Sequence, residues 1–130
     1  MNKIKVLIAA FWVGWCGTVL QAQESPVQLR CEYLSAPIGV DVPNPRLSWR
    51  LNDDRYGALQ QAYRVIVGTD STAVVSGKGG LWDTQKVTSD AMLITYAGKS
   101  IEPFTKYYWS VHVWDKDGVE KTSPVASFET

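Results

Sequence analysis

The residue types able to do chemistry in this 130-residue chain form a few small groups. Asp115 and Asp117, in Asp115-Lys116-Asp117-Gly118, are spaced as an acid–base pair could be. Hydrolysis with inversion needs two carboxylates roughly 6.5–9.5 Å apart across a cleft. This pair instead occupies a hairpin turn, where aspartates bond local backbone donors and solvent surrounds them. It reads as turn-forming, not catalytic. The same four residues resemble the opening of a calcium loop, but the spaced oxygen donors and distal glutamate of such a loop are missing.

The remaining candidates are weaker. Gly77-Lys78-Gly79-Gly80 has the composition of a phosphate cradle without the strand and helix N-terminus that would frame one, so it reads as a flexible loop. Trp82-Asp83 and Trp114-Asp115 are two copies of a dipeptide, too few for propeller blades. His112 is the only histidine and lacks the partners of a metal site or a nucleophile–base pair. It reads as an exposed strand residue. No catalytic, cofactor-binding or metal-binding residue is assigned.

Period-two alternation dominates the chain, and no long stretch carries a helical repeat. Leu29, Cys31 and Tyr33 alternate with Arg30 and Glu32 in a first strand. Residues 35–45 hold three prolines and Gly39, a stiff connection. Leu47, Trp49 and Leu51 mark a second strand, residues 52–57 a polar turn, and Tyr63, Val65 and Val67 a third strand. Residues 69–80 read as a loop or short edge, residues 81–87 as a fourth strand, and residues 92–96 as a fifth. The longest strand, residues 106–115, puts Tyr107, Trp109, Val111 and Val113 on one face and Tyr108, Ser110, His112 and Trp114 on the other. Gly118 suits the positive φ of the turn that follows, and a closing strand runs through Ala126, Phe128 and Thr130. About seven short strands in some hundred residues predict an all-β, two-sheet sandwich.

In this register Trp49 and Tyr107 are the structural anchors of the core. Tyr108 and Trp114 point outward and form the candidate functional face, with no clustered amide or acid partners on that face. Exposed large aromatics serve as a docking patch for protein, as a platform for stacking sugar rings, or simply lie under a neighbouring loop. Docking is the preferred reading, because Ser110 and His112 offer little to fix sugar hydroxyls.

Lys3 and Lys5 precede a fifteen-residue, mostly apolar run from Val6 to Leu20, and Ala22 follows as a small residue before cleavage. This is the layout of a secretory signal peptide, residues 1–22, leaving a domain of residues 23–130. The run is short of the about 20 residues that span a bilayer, so no stable membrane span is expected. Trp15 occupies the position where a lipoprotein signal has a small residue, which disfavours an anchor on Cys16. Loss of Lys3 and Lys5 lowers Lys plus Arg from 13 to 11 against 13 acids, a net charge of −2. With no basic stripe, nucleic acid is not an expected partner. Cys31, then the lone cysteine, reads as a small buried hydrophobe.

Two resemblances add to this. Ile101-x-Pro103-x-Thr105-x-Tyr107-x-Trp109-x-Val111-x-Val113 resembles the sixth strand of fibronectin type III domains, and Leu47-Ser48-Trp49 resembles their second. That likeness implies a tyrosine whose ring is buried and whose hydroxyl bonds back to the main chain. More narrowly, Pro45-Arg46-Leu47-Ser48-Trp49, Gln61-Ala62-Tyr63-Arg64-Val65, Leu81-Trp82-Asp83-Thr84 and Trp114-Asp115-x-Asp117-Gly118 resemble the start of bacterial α-L-rhamnosidases. In that family such a module precedes further β-domains and a helical barrel that hydrolyses terminal α-L-rhamnose. The resemblance implies an accessory, non-catalytic module that packs on downstream domains of a rhamnosidase; the signal peptide makes it secreted or periplasmic, and no cofactor is expected. A contact with rhamnoside is a lesser expectation. The alternative is an independent carbohydrate-binding or adhesion module.

Overall fold

The computed structural model describes residues 25–130, so the expected signal peptide, residues 1–22, lies outside the described residues. Nine strands and one short helix follow in order. They are β1 (Val27–Cys31), β2 (Arg46–Arg50), β3 (Ala62–Gly68), α1 (Ser71–Val75), β4 (Trp82–Asp83), β5 (Val87–Thr88), β6 (Leu93–Thr95), β7 (Lys106–Trp114), β8 (Glu120–Thr122) and β9 (Ala126–Glu129). All pairings are antiparallel. A smaller sheet has the order β1-β2-β6, and a larger one places β4-β3-β7-β8 side by side. β5 shares the edge of β3 with β4, and β9 shares the edge of β7 with β8. The nine strands therefore occupy seven lanes, the number the alternation predicted.

Burial follows the period-two reading where the alternation was strongest. Tyr107, Trp109, Val111 and Val113 on β7 are at most 1% exposed, facing Leu47 and Trp49 of β2 across the interlayer space. Aromatic rings fill much of that space. Tyr107 stacks on Phe128 with centroids 5.3 Å apart, and Trp49 meets Tyr63 at 5.5 Å. Such pairs add to burial roughly 0.5–1.5 kcal/mol each. The polar atom of each anchor is satisfied. Trp49 Nε1 donates to Gln60 Oε1 at 2.8 Å, and the Gln60 amide donates to the carbonyls of Ser89 and Ala91. Tyr107 Oη accepts from the Glu102 amide at 2.7 Å and donates to the Glu102 carbonyl at 3.4 Å, the corner that turns the chain into β7.

Several local expectations are corrected. β1 ends at Cys31. Glu32 and Tyr33 take positive φ, Leu34 bridges back to Cys31, and Tyr33 lies outside with the Arg46 guanidinium 4.8 Å from its ring centroid. The fourth strand is two short pieces, because Gln85 at φ 54° breaks the run. Residues 69–80 are not a free loop. Asp70 caps α1 by accepting from the Thr72 amide, and α1 packs on β3 and β7. Gly79 then passes so close to β3 that a Cβ there would sit 2.5 Å from Ile66 Cγ2. This covering explains why Ile66 and Ser110 are buried although they face away from the sandwich interior. The proline-rich connection also pairs. The Gly39 and Val40 amides donate to the Glu129 carbonyl, and the Glu129 amide donates to the Pro37 carbonyl, lacing it to β9.

The anchors generate a stability prediction. Trp49→Ala should cost roughly 3–5 kcal/mol through the cavity it leaves. Tyr107→Phe should cost about 1–3 kcal/mol, since the Glu102 amide loses its acceptor. Denaturant midpoints of the two variants check both figures, and unchanged midpoints would contradict this core.

Candidate functional site

The candidate face is the outer side of the larger sheet. Tyr108 lies opposite Gly68 and Trp114 opposite Ala62, at the two ends of β7. Six residues at about 3.3 Å each separate them by roughly 20 Å, so the rings are not one platform. Each is half-buried and topped by a lysine. Lys106 Nζ is 5.5 Å from the Tyr108 ring centroid and Lys86 Nζ 4.7 Å from that of Trp114. Between the rings, cross-strand neighbours supply polar groups that β7 alone does not reveal. Arg64 donates twice to Asp83, at 2.9 and 2.6 Å, and its guanidinium holds the Asp83 carboxyl below the usual carboxylate range. His112 Nδ1 lies 2.8 Å from Glu120 Oε1 and 3.1 Å from Thr122 Oγ1. These groups are spent on one another, and Ser110 is buried, so the face is a laced polar surface between two shielded rings.

Of the two turn acids, Asp117 is exposed as expected, with 57% of its side chain open, whereas Asp115 is not. Asp115 is 4% exposed, and its Oδ1 accepts from the Asp117 and Val119 amides. Arg55, on the loop after β2, reaches three acids. It bonds Asp53 through Nε and Nη2, Asp117 through Nη1 at 2.7 Å, and Asp115 at 3.3 Å. Gly118, at φ 73°, closes the turn by donating its amide to the Asp115 carbonyl. Carboxylates committed to one guanidinium and to backbone amides form a loop-to-loop clasp rather than an acid–base pair. Arg55 was invisible in the sequence because its partners Asp115 and Asp117 lie about sixty residues away along the chain.

Cys31 is 1% exposed, and burial pushes its thiol up to about 12, so it is an inert core residue at neutral pH. Arg30, Arg46 and Arg50 share the outer face of the smaller sheet, where Arg46 is paired with Glu32 at 2.6 Å. The most exposed large apolar side chains lie elsewhere. They include Tyr56 at 99%, Phe104 at 98% and Ile38 at 81%. The sequence held a hint of Phe104, which falls at an unassigned position of the alternating run that leads into Tyr107.

The clasp titrates in a definable window. Hydrogen bonds from Arg55 hold the Asp53 carboxyl down to about 2 against an ordinary 3.8. A depressed folded value means the stabilisation is present above the ordinary value and is lost as pH falls from about 4 toward 2. Thermal midpoints across that range should therefore fall less steeply for Asp53→Asn than for the parent. Parallel curves would show that Asp53 does not carry the clasp.

The family model described as Rha78A-like, N-terminal immunoglobulin domain matches residues 26–130. An α-L-rhamnosidase of Streptomyces avermitilis is 44% identical over 88 residues, covering 67% of this chain and 8% of that protein. One from Formosa agariphila is 32% identical over 87 residues, 66% of this chain and 9% of that protein. Among solved structures, the α-L-rhamnosidase from Dictyoglumus thermophilum superposes with a TM-score of 0.79 at 41% identity, over 82% of this chain and 12% of that one. The Streptomyces avermitilis enzyme complexed with L-rhamnose gives 0.76 at 37% identity, over 82% of this chain and 10% of that one. The chain spans about a tenth of the length of these relatives. With nearly all of its sandwich matched, from Pro26 to Thr130, the chain belongs to the family of Rha78A-like N-terminal immunoglobulin domains.

Proposed function

We propose that this domain is the accessory, non-catalytic N-terminal sandwich of an exported α-L-rhamnosidase, which hydrolyses terminal α-L-rhamnose from glycosides. One observation carries the reading. One rhamnosidase is 44% identical over 88 residues, yet that match amounts to only 8% of its length, and the N-terminal immunoglobulin-domain family model spans residues 26–130. The acids of this domain are consistent with it, since Asp115 and Asp117 are locked onto Arg55. The role that fits is mechanical. A rigid module packs on the domains beyond it, stabilises them and shapes the approach to their site. Export rests on the signal-peptide pattern of residues 1–22 and predicts a mature N-terminus near Gln23.

A second reading has its own observation. Trp114 is partly open, with Arg64, Asp83, His112 and Glu120 on the same sheet face, the composition of a small sugar-stacking site. The internal pairing of those groups argues against it.

The purified domain is expected to show no turnover of an aryl α-L-rhamnoside. It should also show no saturable tryptophan-fluorescence or calorimetric response to L-rhamnose at millimolar concentration. Saturable binding that Trp114→Ala abolishes with the fold intact would establish the carbohydrate-binding reading instead. Turnover persisting through several purification steps would overturn the non-catalytic assignment.

A further inference from the structure

The tyrosine corner and the C-terminal strand meet at one pole of the sandwich, and this pole carries apolar surface that the domain itself does not cover. A groove of about 410 Å³ runs between residues 39–43 and residues 101–104, with Thr130 among its lining residues. Val42, 40% exposed, stands on one wall, and Phe104, 98% exposed, on the other. Ile38, 81% exposed, immediately precedes the first wall. Phe104 sits at φ 53°, a left-handed conformation that bulky residues rarely adopt. The backbone thus holds an aromatic ring in solvent at a strained position. Asp41 and Glu102 are the charged residues lining the groove, both acidic.

Thr130 is fastened to this pole. Its amide donates to the Thr105 carbonyl at 3.0 Å and its hydroxyl to the Glu102 carbonyl at 2.6 Å, while the Thr105 amide donates to that hydroxyl. The direction in which the chain leaves β9 is therefore set by the loop that carries Phe104. The relatives are about ten times longer than this chain, and polypeptide continuing past Thr130 would leave beside the groove that Thr130 helps to line. Tethering over a few residues gives an effective concentration on the order of millimolar, which favours the nearest complementary surface.

We infer that the groove bounded by Val42 and Phe104 is the seat of the domain that follows in the parent polypeptide. The inference rests on the reading of this chain as an N-terminal module. The occupant presents an apolar side chain to the groove, flanked by basic groups that complement Asp41 and Glu102. The docking surface then lies at the exit pole, not on the half-buried Tyr108 and Trp114 face.

Single cysteines test this, because Cys31 is buried and its thiol is pushed up to about 12. In a Cys16→Ser background, Phe104→Cys and the distant control Tyr56→Cys would be alkylated with a maleimide. Rates would be compared in the 130-residue chain and in the in-frame polypeptide that continues past Thr130. Both positions are exposed on the isolated domain, so both variants keep the core. The expected result is a rate for Phe104→Cys at least tenfold slower in the longer protein, with Tyr56→Cys unchanged. Equal rates for Phe104→Cys in both contexts would overturn the docking assignment while leaving the N-terminal-module reading in place. A frame that stops at Thr130 would remove that reading, and the inference with it.

Discussion

Hydrogen bonding along both edges of β7 organises this molecule. The strand pairs with β3 over seven consecutive positions on one side and with β8 and β9 on the other. With both edges satisfied, its period-two alternation directs four large side chains into the space between the sheets. A one-residue slip would turn Tyr107, Trp109, Val111 and Val113 outward together, so the hydrophobic effect enforces the register strongly. The Tyr107 hydroxyl, bonded to the main chain at Glu102, determines where this register begins.

The connections are held by polar bonds with few alternatives. Gln60 ties the Trp49 indole to the carbonyls of Ser89 and Ala91, joining β2 to the segment before β6. Arg55 joins the loop after β2 to the turn after β7, and Pro37 to Val40 join the first connection to β9. A buried or half-buried polar group that loses its partner pays a desolvation penalty of about 1–3 kcal/mol. Small domains bury limited apolar surface, so such ties narrow the ensemble as well as stabilise it. The result is a rigid body suited to bearing against a neighbour, with Arg55, Arg64, Asp83 and Asp115 among the charged groups that hold it together.

The parts legible in the sequence were those governed by short-range periodicity. The two faces of β7, the burial of Leu47 and Trp49 on β2 and the inward valines of β3 follow from alternation alone. The parts that were not legible depend on contacts distant along the chain or on single backbone angles. Positive φ at Glu32 and Tyr33 ends β1 early, and positive φ at Gln85 splits the strand expected at residues 81–87. Glycine-rich composition at residues 77–80 suggested freedom, whereas Gly79 is required by its close approach to Ile66. The candidate face was read on β7 alone. Its acids and arginine come from β3, β4 and β8, which a strand-by-strand reading does not place beside it.

Native-state hydrogen exchange tests the central role of β7 most directly, because it resolves local opening from global unfolding. Amides of Trp109, Val111 and Val113 should be the most protected in the domain and exchange only at the free energy of global unfolding. Those of β1 and of α1 should open locally at lower cost. Exchange of the β7 amides through local opening, ahead of β1 or α1, would contradict the account.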